Sequence, residues 1–394
     1  MQGLRSKTLA TSLTILLVFV AIASINSVRP SDAHHSTQST TTTSSSTTTS
    51  SSRIKVVATI GVNGYASDIQ YDPSNQETYA VASASSGPQV TVISSANAVV
   101  ARITVSGVPY HILFDPANNE LYVPSCGTLC TSGNSIVSVI DGTTNSVVQT
   151  IAVGLEPEWL AYDSANGDVY VGNAAGNSVS VVSSTTNKVV STIPISATPQ
   201  QIVYDPANQY LYVLDYYANQ VTVINGATNT VVNNIATGGY PTAVCYEAAN
   251  QDLYVTDGGG LVTVVSPSNS VIKTINLGTN SAPYDITCDA ANNNVYVADG
   301  GINSVTAIRS SDNAILATVS VGTQPINVEY NSANQDIYVS NYQGSSTSII
   351  DSSTNKVTQT VNLMGNPSYE SFDPANNQVY ASIQYFSEVV ALSS

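Results

Sequence analysis

One ten-residue pattern, close to aromatic-Asp-Pro-Ala-Asn-x-x-x-Tyr-Val, returns eight times along this chain, at residues 71–80, 114–123, 162–171, 204–213, 246–255, 288–297, 330–339 and 372–381. Its tyrosines, Tyr79, Tyr122, Tyr170, Tyr212, Tyr254, Tyr296, Tyr338 and Tyr380, are 43, 48, 42, 42, 42, 42 and 42 residues apart. A unit of this length has an apolar side that it cannot bury alone, so the copies must stack on one another. A period of 42 residues has room for four short strands and their turns.

Alternation and turn chemistry place those strands. In the copy at 200–240, residues 201–204 and 210–214 flank the turn Asp205-Pro206-Ala207-Asn208, and residues 220–224 and 230–235 flank Asn225-Gly226-Ala227-Thr228-Asn229. No helical period competes. At Asp72, Asp115, Asp205 and Asp373 the following Pro presets φ and the carboxylate is placed to cap turn amides, so these residues read as structural. The segment 55–60 matches the outer strand at 188–193, while the last copy stops after its third strand. The expectation is an all-β chain: an eight-bladed β-propeller of four-stranded antiparallel blades over residues 53–394, closed by the N-terminal strand completing the last blade. Seven blades is the alternative count.

The region before the repeats speaks to location. Residues 1–28 read as a signal peptide or an N-terminal membrane anchor. Arg5 and Lys7 precede a mostly apolar run at 9–25, Arg29 follows it, and Ala21-Ile22-Ala23 offers a small-x-small cleavage site. Residues 29–52 read as a stalk or linker, because every residue from 36 to 52 except Gln38 is Ser or Thr. The expected location is extracellular, anchored at the cell surface or secreted. Charged residues make up 9% of the chain and the net charge is −16, so the clustered Lys and Arg that nucleic-acid binding requires are missing. So few titrating carboxylates and mutually repelling cations also suit an acidic medium.

The repeats resemble the YVTN-repeat β-propellers typical of archaeal surface-layer and related exported proteins. The matching motifs are Tyr-Val-x-Asn/Asp at Tyr170, Tyr212, Tyr254, Tyr296 and Tyr338, with Val-Gly-x-x-Pro at 153–157 and 321–325. Tyr79-Ala80-Val81-Ala82, Tyr122-Val123-Pro124-Ser125 and Tyr380-Ala381-Ser382-Ile383 depart from the pattern. The resemblance implies the fold and a surface or partner-binding role, and leaves the ligand open.

Function in such a ring belongs at the face where the inner strands begin. The two positions after each inner-strand Pro, with Ala66 in its place in the first copy, bring Asp68, Tyr110, His111, Glu158, Trp159, Tyr284, Asp285 and Tyr369 to the channel mouth. The ends of the second strands add Asp215, Asp257 and Asp299, for which turn-capping is the competing role, and Tyr216, Tyr217, Tyr240 and Tyr342 lie in adjoining loops. The basic residues Arg53, Lys55, Arg102, Lys188, Lys273, Arg309 and Lys356 fall away from this face. An acidic, aromatic mouth suits a glycan, whose apolar faces stack on rings while its hydroxyls donate to carboxylates, or a cation. A cell-surface glycan or protein is the expected partner. Calcium is the one metal considered, with Asp257, Asp285 and Asp299 as donors, and no other cofactor is expected.

The composition weighs against an enzyme. His111 is the one histidine of the repeats, so multi-histidine metal sites cannot form there. The enzymatic alternative is a lyase- or glycosidase-like site, or a small-molecule receptor, at the mouth, with Glu158 paired to Asp68 or Asp285. Cys126 and Cys130, inside the insertion that lengthens the second spacing to 48, are expected to form a short disulfide. Cys245 and Cys288, offset by one position in adjacent inner strands, are expected to be free buried thiols.

Overall fold

In the fourth copy the strands Pro199–Asp205, Tyr210–Asp215, Gln220–Asn225 and Thr230–Ala236 pair consecutively and antiparallel, as their alternation requires. The computed structural model describes residues 53–83, 87–127 and 135–393. The expected signal or anchor, the stalk and Cys130 lie outside the described residues. The same four-stranded meander is built eight times, giving an eight-bladed β-propeller, and the seven-blade count is excluded. Blades are numbered here in chain order, from the one that begins at Tyr65. The short 3-10 turn Tyr216–Ala218 is the only helical piece among the described residues.

Blade 8 holds just three strands of its own, Asn366–Asp373, Gln378–Gln384 and Glu388–Ser393. Its outer strand is Lys55–Gly61, which runs antiparallel to Glu388–Ser393 and closes the ring. Closure pairs two strand edges that would otherwise stay open.

The repeat motif is what ties each blade to the next. Seven of the eight motif tyrosines hydrogen-bond an Asn in the turn between the third and fourth strands of the following blade. The hydroxyls of Tyr79, Tyr122, Tyr170, Tyr212, Tyr254, Tyr296 and Tyr380 donate to Oδ1 of Asn145, Asn187, Asn229, Asn269, Asn313, Asn355 and Asn97, at 2.5–2.8 Å. Each of those Asn residues has φ between 51° and 61°, a left-handed conformation that Asn tolerates and most residues avoid. Tyr338 is the exception, and its hydroxyl accepts from Asn334 within its own blade. The following blade is the closed one, whose third and fourth strands come from opposite ends of the chain, so the partner turn does not exist.

The expected turn capping is present in every copy. Asp72, Asp115, Asp163, Asp205, Glu247, Asp289, Asn331 and Asp373 each accept from the backbone N–H two residues on, at 2.8–3.0 Å. The core lies between blades: Tyr212, Leu214, Val221 and Val223 of blade 4 pack with Val244, Leu253, Val255 and Val265 of blade 5. Each fully buried aliphatic side chain there contributes about 1.5–3 kcal/mol. All eight outer strands carry a bulge, and the bulged residue is exposed and aliphatic in seven of them, as at Val57, Val190 and Ile272.

Candidate functional site

Every blade but the second enters its inner strand through a Pro, or Ala66 in blade 1, followed by an irregular register, so the first residues leave the ladder before regular pairing begins. A bulge re-aims side chains, which brings consecutive residues to the mouth. One ring of positions, two residues after the Pro, reads Asp68, His111, Trp159, Gln201, Ala243, Asp285, Asn327 and Tyr369. These side chains alternate with a buried aliphatic at the next position in seven blades, for example Ile69, Ile202 and Val328.

Four members of the ring fasten neighbouring inner strands. Asp68 Oδ2 accepts from Ile112 N at 3.0 Å, Gln201 Oε1 from Val244 N at 2.8 Å, Asp285 Oδ2 from Val328 N at 3.1 Å, and Asn327 Oδ1 from Glu370 N at 3.0 Å. One turn lower, Glu329 Oε1 accepts from Phe372 N at 3.3 Å. Burial lifts the Asp285 carboxyl to about 6 against the pull of these amide donors. It lifts Glu329 to about 8, with Glu370 and Asp285 adding charge repulsion.

The arc from blade 8 to blade 3 is built differently. In blade 2 the inner strand is interrupted, with Val108–Pro109 and Leu113–Asp115 pairing separately. His111 lies in the gap. Its Nδ1 is 3.3 Å from Asp68 Oδ2, and its ring stacks on Trp159 with centroids 3.7 Å apart and planes 27° apart. Tyr369 meets the same imidazole edge-on at 6.0 Å. The Glu158 carboxyl is pushed up to about 8 by burial and then by the neighbouring Glu156. Tyr110 is pushed up to about 12 by burial and by the same two glutamates, and its hydroxyl is 3.8 Å from Cys126 Sγ. Burial raises the Tyr369 hydroxyl further, followed by Asp68, Asp285 and Glu158, so one tyrosine senses carboxylates of three blades. The result is an aromatic wall beside the Asp68 carboxyl group in contact with histidine and the Glu158 carboxyl, which keeps its proton near neutral pH. Such a set offers ring faces, a donor and acceptors within one small space.

The remaining sequence candidates lie elsewhere. Asp215, Asp257 and Asp299 are fully buried. Asp215 accepts from Thr222 and Gln220 at 2.6 and 2.9 Å, Asp299 from Thr306 at 2.5 Å, and Asp257 from the amides of Gly259 and Leu261 at 2.8 and 3.2 Å. Gly238 approaches Asp257 so closely that a side chain there would collide with the carboxylate. Asp257 thus caps its own turn, the competing role, whereas Asp215 and Asp299 tie the second strand to side chains of the third. The Tyr284 ring packs on Gly300, with its hydroxyl 3.5 Å from Gln324 Nε2. Among the described residues no group of three or more His, Cys, Asp or Glu is placed to hold a metal ion.

The free-thiol expectation for Cys245 and Cys288 is overturned, because the two form a disulfide between blades 5 and 6 with Cα atoms 6.0 Å apart. Adjacent inner strands are staggered by one residue, so partners lie 43 apart where the repeat is 42, as Gln201–Val244, Asp285–Val328 and Glu329–Phe372 also do. The one-residue offset is therefore the register of contact. Cys126 is disulfide-bonded, as expected, and its expected partner Cys130 lies outside the described residues.

The sequence reading missed Tyr65, Tyr385 and Phe386, which are exposed at this face. Gln384-Tyr385-Phe386 stands where blades 3 and 5 have only Gly or Ala, at Ala174-Ala175-Gly176 and Gly258-Gly259-Gly260, and that contrast was the available signal.

No family model matches the chain, and no curated protein matches it in sequence. Solved structures do match. The C-terminal WD40 domain of Sif2 superposes with a TM-score of 0.71 at 9% identity, over 86% of this chain and 98% of that one. Hydrazine synthase of Kuenenia stuttgartiensis superposes with a TM-score of 0.56 at 19% identity, over 73% of this chain and 95% of that one. At such identities the likeness shows the propeller fold alone.

Proposed function

We propose that this propeller is an exported, cell-surface binding module whose channel mouth takes a neutral glycan. The observation that carries the reading is the wall formed by His111 stacked on Trp159, with Tyr369 edge-on, beside Asp68 and Glu158. Sugar rings present apolar faces to such a wall and hydroxyls to the carboxyl groups. The absence of Lys and Arg from the mouth loops weighs against anionic ligands. The likeness of the Tyr-Val-x-Asn/Asp motifs to YVTN-repeat surface proteins, together with the apolar run at 9–25 and the Ser/Thr segment at 36–52, supports the extracellular location.

Trp159 is the only tryptophan of the chain, so the intrinsic fluorescence of the whole protein reports on this wall. Titration with neutral oligosaccharides is expected to give a saturable change in that emission and a rise in melting temperature through mass action. Trp159→Ala is expected to abolish the melting shift while leaving the unliganded melting temperature within a few degrees of the parent. Unchanged fluorescence and melting across cello-, chito- and manno-oligosaccharides sinks the glycan reading. The proton kept by Glu158 favours one second reading, a glycosidase with Glu158 as acid, and release of reducing ends during the same titration distinguishes it.

A further inference from the structure

Five aromatic side chains are exposed among the described residues, Tyr65, Tyr217, Tyr240, Tyr385 and Phe386. All five lie at the mouth face, Tyr65 at the start of its inner strand and the others in the connecting segments, and they fall into two clusters. Tyr217 and Tyr240 sit with Tyr216 where blade 4 meets blade 5, their centroids 5.0–6.4 Å apart. Tyr65 and Tyr385 meet edge-on at 5.6 Å where blade 8 meets blade 1, with Phe386 packed on Gly365 beside them. In a ring of eight, these two junctions are four blades apart and therefore diametrically opposite.

The backbone bears on both clusters. Tyr240 and Tyr385 have φ of 58° and 69°. A bulky residue in the left-handed region is an outlier, and most other such positions in this chain hold Asn, Gln or Gly. The surroundings hold both in place. Tyr240 N donates to Asn219 Oδ1 at 2.8 Å and its carbonyl accepts from Gly258 N at 2.9 Å, while the Tyr385 hydroxyl lies 3.4 Å from that of Tyr342, itself 2.6 Å from Gln384. The left-handed conformation recurs at the same repeat position in Glu156, Ala282 and Gln324, so what is particular to the blade 4–5 junction is the aromatic residue placed there. Each cluster thus places one such tyrosine outward, on the same face, on opposite sides of the mouth.

We propose that the two clusters are outer subsites for an extended neutral polysaccharide that lies across the face and is gripped at both rims as well as at Trp159. The inference rests on the glycan reading of the mouth and goes beyond it in naming a polymer as the ligand. Charge selects the occupant: all seven Lys and Arg of residues 53–394 lie on the outer strands or at the far turns, so a nucleic acid or a uronic or sulfated glycan meets carboxylates and no cation here. Rings and hydroxyl-accepting groups without cations fit a polyhydroxyl chain. Two rims joined by one chain act as linked modules, so affinity grows with ligand length until the chain reaches both.

The test uses residues 53–394 as part of the full chain and cello- and chito-oligosaccharides of increasing length, followed through Trp159 fluorescence and calorimetry. Affinity is expected to rise with length. Tyr240→Asn and Tyr385→Asn remove the rings yet suit the left-handed backbone, and each is expected to weaken long chains about threefold to tenfold while leaving the shortest ligand that binds at Trp159 unaffected. Equal affinity for short and long ligands overturns the outer subsites and leaves the mouth reading standing. No response to any length overturns both. A parent protein that sediments as a dimer, and becomes a monomer in Tyr240→Asn, assigns the clusters to a second copy of the chain and likewise overturns the proposal.

Discussion

Blades 2 and 4 are copies of one repeat that solve the same position in opposite ways. In blade 4 the inner strand Pro199–Asp205 is continuous and Gln201 holds Val244 of the next blade. In blade 2 the strand is interrupted between Pro109 and Leu113, and the residue at the register of Gln201 is His111, stacked on Trp159. The contrast separates two jobs of the channel wall. In blades 1, 4, 6 and 7, where the strand is continuous and the residue is Asp, Gln or Asn, the inward side chain fastens the neighbouring blade. Where it is broken, His111 stacks on Trp159 of the next blade instead, while blade 1 still fastens blade 2 through Asp68, which accepts from Ile112 N.

If the regular wall carries stability and the irregular arc carries recognition, removal of the bridge between blades 5 and 6 has the largest effect on stability. Cys245→Ser is expected to cost about 3–4 kcal/mol for a loop of this length, read from denaturant midpoints with and without reductant. A midpoint that neither the substitution nor reductant moves breaks the comparison at its strongest point.

The second effect is a pH dependence located in the inner strands of blades 6 to 8, where the regular wall meets the arc. Burial lifts Asp285, Glu370 and Glu329 to about 6, 7 and 8, whereas the unfolded chain titrates such groups near 4. The folded state therefore binds more protons than the unfolded state between about pH 4 and pH 8. Their contribution to stability is fully present below about pH 4 and is lost as pH rises through 6 to 8. Glu370 stands where the other seven blades have Ile, Leu or Val, with Thr347 donating to it at 2.7 Å. The melting temperature is expected to be several degrees higher at pH 5 than at pH 8.5, and Glu370→Gln is expected to flatten the difference. Melting that rises steadily from pH 5 to pH 8.5 contradicts the assignment.

The smallest effect sharpens the comparison most directly. Gln201→Ala strands the Val244 amide and is expected to cost about 1 kcal/mol. His111→Ala is expected to cost less stability and to lose the saccharide response of Trp159. Equal stability losses with equal binding would erase the distinction between the two blades.

Much of the architecture was legible in the sequence because the repeat encodes contacts between blades as well as strands within them. Tyr212 and Asn269 recur in every ordinary copy since each needs the other across a junction, so the spacing of one announces the ring. Closure was legible from the outer-strand match at 55–60, and the turn role of Asp205 from the Pro that follows it. What failed was anything that depends on the stagger between adjacent inner strands. Cys245 and Cys288 look mismatched when copies are aligned in register, and they meet because the strands are offset by one. The mouth was half legible. Asp68, His111, Trp159 and Tyr369 do come together, whereas Asp215 and Asp299 bond to the third strand of their own blades and Asp257 to its own turn, a choice of side-chain direction that repeat position alone does not reveal. Tyr65 and Tyr385 are over 300 residues apart, and only the joined ends of the ring make them neighbours.

Because Lys55–Gly61 is made before, and its partner Glu388–Ser393 after, every other strand among the described residues, the ring stays open until its last blade is made. A growing chain therefore presents unpaired edges during the period when it is most exposed to other chains. The bulge in every outer strand breaks the regular row of donors and acceptors along that edge. The first strand waits as a latch, and the circle becomes a single cooperative body only when the final blade arrives to receive it.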